Sequence, residues 1–87
     1  MTSVKDTIEA RLSDTFAPTS LEVIDESHLH AGHAGARPGG ETHFRVRIVS
    51  AAFAGLTRLE RHRRVNAALA QELAGPIHAL AIHADAP

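Results

Sequence analysis

Seven histidines stand out among the side chains that could do chemistry, at positions 28, 30, 33, 43, 62, 78 and 83. Three of them, His28, His30 and His33, fall in a stretch rich in glycine. A neutral imidazole is the commonest biological metal ligand, and glycine neighbours let a chain fold around an ion. The spacing His-x-His-x-x-His leaves two readings open, a metal site in a loop and a set of solvated histidines. His78 follows the Gly75-Pro76 pair and shares the parity of Leu80 and Ile82. That placement predicts a half-buried histidine bonded to a helix end. His62 is expected at a helix interface, and His43 and His83 as ordinary exposed strand residues.

Other chemistry finds little support. The 87 residues include no Cys, which excludes a thiol nucleophile, a disulfide framework and a four-Cys metal site made by this chain alone. No Ser lies in a Gly-x-Ser-x-Gly elbow, and neither a P-loop nor a dinucleotide fingerprint is present. Asp25 and Glu26 suit solvated carboxylates at a strand end. No catalytic residue is assigned, and an enzyme is not expected.

The net charge of −1 hides an asymmetry. Residues 1 to 26 carry six acids against Lys5 and Arg11, whereas residues 43 to 64 carry six Arg against Glu60. The basic region suits either a solvated face or a surface for phosphate or an acidic partner. Arg58, Arg61 and Arg64 are its candidates for contact.

The elements that must position these groups follow from periodicity. Val4, Ile8, Leu12 and Phe16 form one helical stripe over residues 4 to 16, capped by Ser3 with Asp6 and stopped by Pro18. Leu21 to Glu26 is a short strand. Residues 27 to 40, with four Gly and one Pro, lack periodicity and are expected to form a long flexible loop of the kind that is functional or disordered. From Thr42 to Val49 the chain alternates, Phe44, Val46 and Ile48 on one face and His43, Arg45 and Arg47 on the other.

Thr57-Arg58-Leu59-Glu60 is a capping box. It opens a helix with Leu59, His62, Val65, Leu69 and Leu73 on one side, which Gly75 in a left-handed conformation and Pro76 should end. Ile77 to Ala84 is the last strand, parallel to the second through a right-handed crossover. The expectation is a single α+β domain over residues 1–87, in the order α-β-β-α-β, with helices on one face of a three-stranded mixed sheet. Ala supplies 16 of the 38 hydrophobic residues, so the core is small and marginal stability is expected. No apolar run approaches the ~18 residues of a membrane span, and no signal peptide pattern opens the chain. A cytoplasmic protein without membrane contact is expected.

Several blocks together resemble the BolA family. They are Asp25-Glu26-Ser27 followed by His30, then Gly39-Gly40-Glu41-Thr42-His43-Phe44 and Phe53-Ala54-Gly55-Leu56. Arg61-His62-Arg63-Arg64-Val65-Asn66 with Leu69 follows, and then Ile77-His78-Ala79-Leu80-Ala81-Ile82. The resemblance covers about residues 4 to 84. It implies a KH-like (class II) fold without the Gly-x-x-Gly backbone clamp, in keeping with the lone glycine of Phe53-Ala54-Gly55-Leu56-Thr57-Arg58.

The resemblance also implies a function, that of an adaptor in iron–sulfur cluster metabolism. Such a protein pairs with a monothiol glutaredoxin and shares a [2Fe-2S] cluster with it, the glutaredoxin Cys and a glutathione thiol supplying two ligands. On this chain the implied metal ligands are His78 and a loop histidine, His30 or His33. Alone, it would be a monomer or weak homodimer. Members are also linked to transcriptional regulation in stress and morphology responses, which makes DNA a second expected partner. A zinc or copper buffer built on His28, His30 and His33 is the third reading.

Overall fold

The computed structural model describes residues 3–27 and 42–87. Its elements are α1 (Val4–Phe16), β1 (Ser20–Asp25), β2 (His43–Val49), a 3₁₀ turn (Ala51–Phe53), α2 (Arg58–Ala68), α3 (Ala70–Ala74) and β3 (Ala79–Asp85). The Gly- and His-rich stretch expected as a loop lies, but for Ser27, outside the described residues, and so do His28, His30 and His33.

Helix α1 starts where its cap predicts. Ser3 Oγ accepts the Asp6 N–H at 3.0 Å, satisfying one of the donors that a helix leaves open at its first turn. Ile8, Leu12 and Phe16 are buried along one stripe. The helix ends at Ala17, which turns left-handed at φ 43° and donates its N–H to Ser13 O. Pro18 disfavours the right-handed helical conformation in the residue before it, so the turn falls on Ala17.

The sheet has the order β1-β2-β3. Strands β1 and β2 pair antiparallel with Val23 opposite Val46, and β2 and β3 pair parallel with Val46 opposite Ile82. Val23, Phe44, Val46, Ile48, Ile82 and Ala84 point to one face, where they form a single buried cluster with Ile8, Leu12 and Phe16 of α1 and with Val65 and Leu69. Both long helices therefore cover the same face, and the α+β architecture expected from the sequence is the one observed. Phe53 joins this core against Phe16, with ring centroids 4.8 Å apart. Ser50, fully buried, ties three elements together. Its hydroxyl donates to Phe16 O at 2.6 Å, and its N–H donates to Asp85 O at 3.0 Å.

Thr57 forms the expected capping box, accepting the Glu60 N–H while the Glu60 carboxylate accepts the Thr57 N–H. Three details beyond it differ from expectation. Leu59 is 59% exposed. At 100° per residue it lies about 120° around the helix from Val65, so the sheet-facing stripe runs through Arg61, His62, Val65 and Leu69. The helix also breaks at Leu69 (φ −105°, ψ 19°) into α2 and α3. No Gly or Pro stands there, and the contacts that accompany the bend are tertiary. Leu69 is fully buried, and Glu72 of α3 approaches Arg11 of α1 at 2.6 Å, as an ion pair without hydrogen-bond alignment. Finally, Gly75 is not left-handed, with φ −114°. A Cβ there would meet Gln71 O at 3.3 Å, so close backbone approach explains the glycine.

Strand β3 begins at Ala79, two residues later than expected. The Ile77 N–H still turns back to Glu72 O at 3.0 Å, which keeps Ile77 in the core and His78 outside the strand. Among the described residues no helix is long and apolar enough to cross a membrane.

Candidate functional site

The chemistry-bearing residues gather where β2 and β3 begin. The parallel register sets His43 opposite Ala79, and the Thr42 carbonyl accepts the N–H of His78 at 2.7 Å and of Ala79 at 3.2 Å. His78 is exposed. The parity argument that half-buried it fails because the residue sits in a bend ahead of the strand. It offers an imidazole to solvent from a backbone fixed by the sheet.

His43 departs further from expectation, at 5% exposure. Its ring centroid lies 5.2 Å from that of His78, with the planes at 56°. Its Nδ1 and the Thr42 hydroxyl share a 2.8 Å hydrogen bond whose direction follows the imidazole tautomer. Ser27 completes the arrangement, its Oγ accepting the N–H groups of Thr42 at 2.9 Å and His43 at 3.1 Å. Alternation along β2 gave His43 the parity of Arg45 and Arg47 and so suggested exposure. The signal that could have corrected it is the crossover, which brings the His78 segment beside the first residue of β2.

Ser27 and Thr42 flank the stretch that carries His30 and His33. Those two candidate ligands lie outside the described residues. Among the described residues no group of three or more His, Asp or Glu side chains is arranged to hold a metal. At this end of the sheet the described residues offer one exposed imidazole, His78, a donor that would fit a metal group only with other ligands from elsewhere.

The basic region divides. Antiparallel pairing sets Glu22 opposite Arg47 and lets Glu26 reach Arg45 at 2.9 Å, so part of the charge asymmetry cancels across the sheet. Arg45 also donates to His83 Nε2 at 2.7 Å. The Glu22–Arg47 pair, 3.6 Å apart and exposed, adds little stability. Arg61 is largely committed to the fold. Its Nε donates to Phe53 O and its Nη1 to Ala84 O, both at 3.2 Å. Arg58, Arg63 and Arg64 are exposed, and among the described residues none has an ion-pair partner. Arg58, Arg61, His62 and His83 line an open groove of about 360 Å³ between α2 and β3.

Comparison with known proteins places these features. The chain is 52% identical over 84 residues to BolA-like protein 1 of Homo sapiens, covering 97% of this chain and 58% of that one. It thus spans little more than half of that relative. It is 52% identical over 80 residues to the DNA-binding transcriptional regulator BolA of Vibrio cholerae, covering 92% of this chain and 72% of the relative. Among solved structures, the BolA domain of SufE1 from Arabidopsis thaliana is similar over the whole chain and 95% of its own length, with TM-score 0.88 and 42% identity. The family model described as BolA-like protein matches residues 12–87, and by sequence, fold and family match alike this chain belongs to the BolA-like protein family.

Proposed function

We propose that this protein is a non-enzymatic, cytoplasmic adaptor that carries a [2Fe-2S] cluster shared with a monothiol glutaredoxin. The observation that carries the reading is His78. It is an exposed imidazole on a backbone pinned to Thr42, at the point where a stretch holding two further candidate ligands returns to the sheet. His30 and His33 follow Ser27 by three and six positions in the sequence. His78 together with His30 or His33 would be this protein's ligands, and the glutaredoxin Cys and a glutathione thiol would be the others. A chain without cysteine needs such a partner to supply thiolates.

Imidazoles in place of thiolates on one iron make a cluster less anionic and raise its potential. They also make the site acid-sensitive, since a protonated imidazole cannot bind iron. The test is to mix the protein with a cluster-loaded monothiol glutaredoxin and glutathione. His30, His33 and His78 are each replaced by Ala in turn. The visible circular dichroism of the mixture should change with the wild-type protein, and the change should be lost with His78→Ala and with one of the two loop variants.

Arg58, Arg63 and Arg64 support a second reading, in which the protein is a DNA-binding transcriptional regulator, as the name of the Vibrio cholerae relative suggests. The readout parts are weaker here. All three Phe are buried and the chain has no Tyr or Trp, which leaves only imidazoles and guanidinium groups for base stacking. Binding to duplex DNA that disappears by about 0.15 M salt would leave only a non-specific electrostatic contact.

A further inference from the structure

Three buried polar residues meet at the foot of the 28–41 stretch: Ser27, Thr42 and His43, exposed by 6%, 2% and 5%. Buried polar groups persist where hydrogen bonds satisfy them, and here the bonds link all three. Ser27 Oγ holds the N–H groups of Thr42 and His43. Its own N–H donates to Asp25 Oδ1 at 2.9 Å, which anchors it to the end of β1. The Thr42 hydroxyl lies 3.4 Å from Ser27 Oγ and 2.8 Å from His43 Nδ1. The Thr42 carbonyl then carries the His78 backbone. The network thus starts at β1, crosses the first residues of β2 and ends at His78.

The side chain at its end is the His43 ring, tilted against that of His78 at 5.2 Å, within the range of aromatic packing. An apolar side chain could fill the same space without needing Thr42. The hydrogen bond to Nδ1 adds control over ring rotation, which packing alone gives loosely. An exposed imidazole otherwise samples several rotamers and must be ordered when it binds, and groups behind a ligand usually supply that order.

We propose that His43 is a positioning residue, locked by Ser27 and Thr42, whose ring holds the His78 imidazole in one orientation for ligation. This rests on the reading of His78 as a cluster ligand and adds the part of the chain that prepares it.

Two measurements separate the positioning from the ligation. In the protein alone, three-bond NMR couplings about the His78 Cα–Cβ bond should report one dominant rotamer. His43→Ala should average them, and His43→Phe, which restores a ring but not the hydrogen bond to Thr42, should leave them averaged. Unchanged couplings in His43→Ala overturn the proposal. Should His43→Ala fail to fold, Thr42→Val removes the hydrogen bond to Nδ1 without deleting the ring, and the same averaging is expected there, with unchanged couplings again overturning the proposal. In the complex with cluster-loaded glutaredoxin, His43→Ala should release cluster about 10-fold faster than wild type, and His43→Phe, which lacks the bond to Thr42, should also release it faster. If His78→Ala leaves the spectrum of the complex unchanged, the ligand reading fails and takes with it the purpose given to His43. A His78→Ala loss combined with wild-type retention in His43→Ala overturns the positioning alone.

Discussion

The His78 N–H donates to the carbonyl of Thr42 at 2.7 Å, so the candidate ligand and the residue that ends the 28–41 stretch move as one piece of backbone. The two residues lie 36 positions apart in the sequence, and the parallel pairing of β2 with β3 brings them together. The consequence is geometric. Thr42, the first described residue after the stretch, thereby carries the backbone of His78.

Ser27→Ala tests the anchor. It removes the acceptor of two N–H groups, those of Thr42 and His43, in a place too buried for water to replace it freely. An orphaned buried donor costs about 1–3 kcal/mol. A loss of about 2 kcal/mol in urea denaturation is expected, and a loss under about 0.5 kcal/mol would show that the site relaxes without its clamp.

Ala17→Gly should do the opposite. Ala17 holds φ 43° at the end of α1 and is exposed, so a glycine there relieves left-handed strain and removes no packed atoms. A gain of about 1 kcal/mol is expected from that relief, read as a higher denaturation midpoint at unchanged slope.

The basic helix gives a prediction that separates its arginines. Arg58→Gln and Arg64→Gln should leave stability unchanged, because both side chains are exposed. If duplex DNA binds this surface, each should also lower the salt dependence of binding by about one counterion. Arg61→Gln should instead cost about 1 kcal/mol of stability, since its guanidinium donates to Phe53 O and Ala84 O. Equal effects of the three on DNA binding, without loss of stability for Arg61, would contradict this division.

Much of the fold was legible because local signals and tertiary burial agree. The four-residue spacing of Val4, Ile8, Leu12 and Phe16 places α1, the Thr57 box starts α2, and alternation from Phe44 to Ile48 marks the central strand. Legibility fails where tertiary contacts decide. Reading Leu59 into the helix stripe follows a repeat of three that drifts around the helix, whereas Arg61 faces inward and donates to Ala84 O of β3 and Phe53 O of the 3₁₀ turn. Nothing local breaks the helix at Leu69. His43 shares the parity of Arg45 and Arg47 but is buried, with the His78 ring against it and its N–H held by Ser27. The site was half legible for the same reason. His78 stood out by type and family block, but its exposure and its buried neighbour depend on where β3 starts.

The most direct test of the account compares wild type and His78→Ala in one titration. Each is added to cluster-loaded monothiol glutaredoxin with glutathione, and visible circular dichroism is followed to saturation. The account predicts a new spectrum at one equivalent of wild type and the unaltered glutaredoxin spectrum with His78→Ala, both proteins being folded by far-ultraviolet signal. The same new spectrum from both proteins would contradict it.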